Sequence, residues 1–184
     1  MAAGGFTTPA ASGLLLTART IPNFIELDPV KFEQYLEHEN LQWVIEWRKS
    51  HGESSKPGRE LYSKYVKSIV HTGGPDSFVC RPSGQTIEFV PLVDPASLSP
   101  GQSLKVRILF RGSPAPNLHV EAASLSGGVV KQRDVGRTDS QGQINIPLDV
   151  AGIWKLHAIR MERSNSNKAD WESFWASLTF EVTP

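Results

Sequence analysis

From about Thr86 onward the apolar positions of the chain recur every second residue. Seven segments carry that period: "TIEFVPL", "QSLKVRILF", "LHVEAAS", "GVVKQR", "GQINIPLD", "GIWKLHAIRM" and "SFWASLTFEV". Turn-forming stretches such as "SPGQ", "GSPAPN", "DSQG" and "DVAG" separate them. Alternation of this kind predicts strands with one buried face. Seven short strands in roughly a hundred residues predict a mainly β fold, an antiparallel β-sandwich. The phase assigns the faces. Leu104, Val106, Ile108 and Phe110 share one side, as do Ile144, Ile146 and Leu148, and Trp154, Leu156 and Ala158. In the last strand Phe174, Ala176, Leu178, Phe180 and Val182 point to the core, and Ser173, Trp175, Ser177, Thr179 and Glu181 point away from it.

The N-terminal part follows another period. "IELDPVKFEQYLEHENLQWVIEWRKSHG" predicts one helix, capped by Asp28, with Pro29 at its first position, Arg48 and Lys49 in its last turn and Gly52 after its stop. Phe32, Leu36, Trp43 and Trp47 form its apolar stripe, widened by Leu41, Val44 and Ile45, so the helix must bury a broad face. "GLLLTART" predicts a short strand. "GRELYSKYVKSIVHTGG" predicts a basic amphipathic piece running into a strand at Tyr65 to Val70, and "GGPDSF" a boundary. The expected division is a flexible leader at 1–13, a helix-containing segment at 14–78 and a β-sandwich at 79–184.

Composition narrows the possibilities. A chain of 184 residues can build one good core or a core with a smaller appended unit. Nineteen basic and nineteen acidic side chains cancel, which disfavours nucleic acid and anionic lipid as partners. The single cysteine, Cys80, has no partner for an internal disulfide, and no Cys/His pair has zinc spacing. The apolar run around Leu14 to Leu16 is too short for a signal h-region or a membrane span, so direct membrane insertion is not expected and the sequence reads as soluble and unexported.

Five segments occur in an order that resembles a known family: "IPNFIELDPVKFEQYLEHENL", "GRELYSKYVKSIV", "GQSLKVRILFRGSP", "TDSQGQINIPLDVAGIWKLHAIRM" and "DWESFWASLTFEV". They resemble the bacterial domain-of-unknown-function family 4198, whose members are often labelled nickel-uptake (NikM-like) proteins. The resemblance implies a transthyretin-like or immunoglobulin-like sandwich in the periplasm or cell envelope. It also implies a preceding signal peptide and a first β domain with an early His-Asp-Phe-Trp-like motif. This sequence lacks those features, so it reads as the C-terminal portion of the family pattern, with the helix-containing segment a remnant of, or linker to, the first domain. The implied function is a non-enzymatic binding or accessory module, associated with nickel or cobalt uptake and contacting a metal transporter or another envelope protein. The rivals are a structural or protein-interaction sandwich with no metal, a carbohydrate-binding module and, further back, an uncharacterised hydrolase.

Candidate chemistry falls into three classes. Nickel or cobalt would need imidazole, carboxylate or thiolate donors. His157 with Asp170 and Glu172 is the first such set, brought together if the strands flanking Arg160 to Ala169 are neighbours; His71, Asp76 and Cys80 form a looser second set. For hydrolysis, Asp170 and Glu172 have the spacing of two groups on one side of an extended segment, but no GxSxG elbow is present. For recognition through aromatics, Trp171 and Trp175 stand four apart on one strand face. They could stack a sugar or a partner's apolar group. The favoured expectation is that they dock the helix stripe of Trp43 and Trp47, with the acids meeting the basic "GRELYSKYVK" run at the edge of the seam. An open edge at Leu14 to Arg19 would also permit self-association.

Overall fold

The longest strand in the structure lies where a basic amphipathic piece was expected. In this computed structural model, which describes residues 13–184, Gly58–His71 is a single strand of 14 residues. The order of elements is β1 (Gly13–Arg19), β2 (Asn23–Leu27), α1 (Pro29–His38), α2 (Gln42–Ser50), β3 (Gly58–His71), β4 (Ile87–Pro91), β5 (Ser103–Phe110), β6 (Ser113–Pro114), β7 (His119–Ser126), β8 (Val129–Arg137), β9 (Gln143–Pro147), β10 (Gly152–Arg163) and β11 (Trp171–Val182). Apart from Gly13, which opens β1, the expected leader lies outside the described residues.

The fold is mainly β and has two sheets. One runs β1-β3-β11-β10-β7-β8, with β2 pairing the first part of β3; the other runs β4-β5-β6, with β9 on β5. Every pairing among the described residues is antiparallel except β3 with β11, which run parallel from Glu60 opposite Trp171 to Ser68 opposite Thr179. The sheet therefore crosses the boundary expected at 78/79: β1, β2 and β3 belong to the same sheet as β11. A parallel neighbour requires a long crossover. Here everything between His71 and Trp171 supplies it.

The two sheets close on one apolar core, to which β3 contributes Tyr65 and Ile69, β5 the expected Leu104, Val106, Ile108 and Phe110, and β11 the expected row from Phe174 to Val182. A buried polar link crosses it: Lys67 of β3 donates to Glu88 and to the Phe89 carbonyl of β4, and Glu88 also accepts from the Ser83 amide and hydroxyl and the Gly84 amide. Burial alone would raise the Glu88 carboxyl, but the Lys67 and Ser83 hydrogen bonds outweigh it and hold the group below its ordinary value.

The single helix expected from Pro29 to the basic turn is two helices. Asn40 adopts a left-handed φ of 54°, its amide reaches back to the Glu37 carbonyl at 3.1 Å and the Leu41 amide to the Leu36 carbonyl at 2.9 Å. That is a helix stop with asparagine in the left-handed position and an apolar residue following it. α2 then restarts at Gln42. The break lets both Phe32 and Leu36 of α1 and Leu41 and Val44 beside and within α2 reach the outer face of the large sheet, where they form a second core with Ile159, Met161 and Trp171.

Candidate functional site

Alternation sends Trp171, Ser173 and Trp175 of β11 and Gly58, Glu60, Tyr62 and Lys64 of β3 to the same outer face. Parallel pairing places these two rows side by side. β2 adds Ile25 opposite Glu60 and Leu27 opposite Gly58. α1 lies over the start of this surface, held by the Asp28 cap on the Lys31 amide at 3.0 Å. Phe32 packs directly on Gly58, and Tyr35, one turn later, overhangs Glu60. Between them is a cleft of about 230 Å3 lined by Ile25, Leu27, Tyr35, Glu60, Tyr62, Lys64 and Trp175.

The cleft has a carboxylate at its floor and aromatic walls. Glu60 is only 2% exposed. Its Oε1 accepts from the Tyr35 hydroxyl at 3.2 Å and from the Ser173 hydroxyl, and the Trp175 indole N–H donates to the Ser173 oxygen at 2.9 Å. Burial raises the Glu60 carboxyl above its ordinary value, and the donors offset only part of that. The same burial, together with the Glu60 charge, pushes the Tyr35 phenol upward, so it remains a donor. Glu60 has no cationic partner among the ion pairs of the described residues, and the like-charged Glu39 adds to the upward push. The Tyr35 and Trp175 rings are parallel, with centroids 5.9 Å apart. The Lys64 ammonium lies 5.5 Å from the centroid of the Trp175 ring, and His157 leans on that indole at 5.5 Å.

The expected platform residues therefore have different surroundings. Trp171 is fully buried, edge-on to both Trp43 and Trp47, with the Arg163 guanidinium 4.7 Å from its ring centroid. It docks the helices, as the stripe of Trp43 and Trp47 requires. Trp175 meets Tyr35 instead and is only partly buried. The seam expected between the acids and the basic run rests on main-chain groups rather than on carboxylates: the Asp170 amide donates to the Arg59 carbonyl at 2.9 Å and the Arg59 guanidinium donates to the Lys168 carbonyl at 2.6 Å.

The expected metal donors are dispersed. Register places His157 opposite Ser177 and Glu172 opposite Glu162, five positions away or roughly 16 Å along the strand. His157 is bound to Glu39 at 3.4 Å, Asp170 precedes the strand, and Glu172 faces the side of Phe174 rather than that of Trp171. No group of three His, Cys, Asp or Glu able to hold a metal occurs among the described residues. His71 and Asp76 do converge, but on Asp94: His71 Nε2 lies 2.9 Å and the Asp76 amide 2.6 Å from its Oδ2. Cys80 lies near this turn, its thiol pushed up by burial and then by Asp94 and Asp76, so it is held as a thiol. That cluster reads as a loop staple. A larger depression of about 350 Å3 lies beside Asn40, where Arg137 donates to the Asn40 and Asn117 carbonyls and the Asn40 amide contacts the His119 ring nitrogen at 3.1 Å, while the buried Nε of Arg160 in its wall has no hydrogen-bond partner.

A family model described as a domain of unknown function, DUF4198, matches residues 8–162. The chain belongs to the DUF4198 family. Neither the curated proteins nor the solved structures yield a match. The matched span holds Tyr35, Glu60, Tyr62 and Lys64 and stops before β11, so Ser173 and Trp175 complete the cleft from outside it. Sequence reasoning missed Tyr35 and Glu60 as site residues. The available signal was an acid two residues from Gly58 in a segment whose alternation puts both against the helix.

Proposed function

We propose that this DUF4198 chain is a non-catalytic binding or accessory module of the cell envelope, and that the cleft between α1, β2, β3 and β11 is its ligand contact. The observation that carries this reading is Glu60. Burying a carboxylate costs several kcal/mol unless a cation or full hydrogen bonding offsets it. Glu60 has two hydroxyl donors with the Trp175 indole N–H close by, no ion-pair partner among the described residues, and a place in an open cleft. A ligand of complementary charge would supply the partner that the fold does not.

The link to nickel or cobalt uptake implied by the family resemblance enters this proposal as contact with a transporter or another envelope protein. The described donors do not fit a metal, and no metal chemistry is assigned to the chain. The test is a screen of a chemically mixed fragment library by two-dimensional NMR of the indole N–H groups and the tyrosine rings. Fragments that shift Trp175, Tyr35 and Tyr62 together are expected. If the whole library leaves those three residues unshifted, the cleft is packing and the proposal fails.

A further inference from the structure

Resting on that reading of the cleft, we infer that its ligand is an organic ammonium, with a quaternary trimethylammonium head the best match. The electrostatics select a cation. When ionised, Glu60 is a carboxylate with no ion-pair partner among the described residues, and the Tyr35 and Ser173 hydroxyls both meet its Oε1, so Oε2 keeps acceptor capacity for a ligand. Two parallel aromatic faces and the Tyr62 ring stand beside it. Such faces attract cations within about 6 Å of their centroids. The Lys64 ammonium already occupies that position against Trp175, from a flexible and exposed stem that can swing aside.

The donor inventory then selects the kind of cation. A divalent metal requires several oxygen, nitrogen or sulfur ligands, and the cleft supplies one carboxylate among apolar and aromatic walls. A primary ammonium carries three N–H donors to be satisfied; Glu60 answers one or two of them and Ile25 and Leu27 answer none. A quaternary head has no N–H to satisfy and presents methyl groups to those same walls. A cleft of about 230 Å3 is smaller than the roughly 300–1,000 Å3 that holds a drug-sized ligand. It suits a head group.

The experiment titrates the full chain with choline and, in parallel, with its neutral isostere 3,3-dimethyl-1-butanol, following tryptophan fluorescence and the Trp175 indole N–H signal. Saturable choline binding is expected, at least tenfold tighter than that of the neutral isostere. Glu60→Gln keeps an acceptor for both hydroxyls and is expected to weaken choline at least tenfold while leaving the isostere unchanged. Trp175→Leu is expected to weaken both. Equal binding of the two probes, or choline binding indifferent to Glu60→Gln, overturns the ammonium inference while leaving a ligand-binding cleft. Failure of both probes while library fragments still shift Trp175 also overturns it, and failure of every compound overturns the binding reading as well. Co-sedimentation with phosphatidylcholine vesicles, competed by free choline, separates the two sources of the head: competed vesicle binding identifies a lipid, and choline binding without vesicle binding identifies a free solute.

Discussion

Gly58 lies beneath the ring of Phe32, and the space there, rather than the backbone angle, demands glycine. A Cβ added at Gly58 would sit closer than 3.0 Å to three carbons of that ring. To regain an ordinary carbon contact of about 3.5–4 Å the ring must retreat by roughly 1 Å or more. It has little freedom to do so. Phe32 is fully buried, and its ring also carries the Arg48 guanidinium at 4.8 Å, itself 1% exposed and tied to the Lys56 carbonyl at 2.7 Å. Overpacking of this kind costs about 1–3 kcal/mol, and lifting α1 also loosens the Tyr35 bond to Glu60 one turn on. Gly58→Ala should therefore cost about 3 kcal/mol in urea unfolding. Phe32→Ala alone should cost about 3–5 kcal/mol. The double variant should cost less than the sum by about 1–3 kcal/mol, because the new methyl occupies part of the vacated space. A Gly58→Ala cost below about 0.5 kcal/mol, or strict additivity in the double variant, would refute this account of how α1 is seated.

The remaining predictions concern three buried groups. Trp171→Ala should cost about 3–5 kcal/mol and, by hydrogen exchange, release α1 and α2 before β5 and β9, since the two cores are separate; Trp171→Phe should cost less, because the indole N–H is buried with no acceptor. Lys67→Met should cost about 3–5 kcal/mol by stranding Glu88, and adding Glu88→Gln should recover part of it, as read from denaturant midpoints. Burial holds the Glu60 carboxyl above its unfolded value, so its stability contribution is fully present below the unfolded value and is lost as pH rises through the folded one. Glu60→Gln should thus raise stability at pH 8 by on the order of 1 kcal/mol and change little at pH 4; a uniform effect across pH would contradict the assignment. Choline binding should weaken on acidification through the same group, with Tyr35, Glu39, Lys64 and His157 the other titratable neighbours to control by substitution.

Much of the fold was legible where burial and polarity agree. β5, β10 and β11 bury the rows that alternation assigned, because the rows Leu104 to Phe110, Trp154 to Ala158 and Phe174 to Val182 that meet the main core are uninterrupted by polar side chains. β3 was obscured by the opposite condition: Glu60, Ser63 and Lys67 are buried polar residues, on both of its faces, and they erase its period. The break after α1 rests on Asn40, whose left-handed conformation is a known helix stop that an uninterrupted apolar stripe conceals. The site was less legible still. Tyr35, Glu60 and Ser173 are brought together by a parallel pairing whose register no local pattern encodes, and the antiparallel register of β10 on β11 is what separates His157 from Glu172.

Two tryptophans four residues apart on one strand face end in different environments because the edge of the helix layer passes between them. α2 covers Trp171 completely, whereas Trp175 meets only the flank of α1 and keeps part of its ring in the cleft. Packing explains the first and does not explain the second, whose neighbours include a buried carboxyl without an ion-pair partner, reached through Ser173, and a lysine resting against its ring. The helix layer is thus both the cover of a second core and one wall of the cleft. The two roles are coupled through α1: a substitution that unseats Phe32 must also displace Tyr35, which lies on the same helix three positions on. A variant that loosens α1 without weakening ligand binding would show that the wall is not needed. The converse variant, Glu60→Gln, should gain stability and lose affinity for a cation, and opposite signs at one residue are what separate a binding group from a structural one.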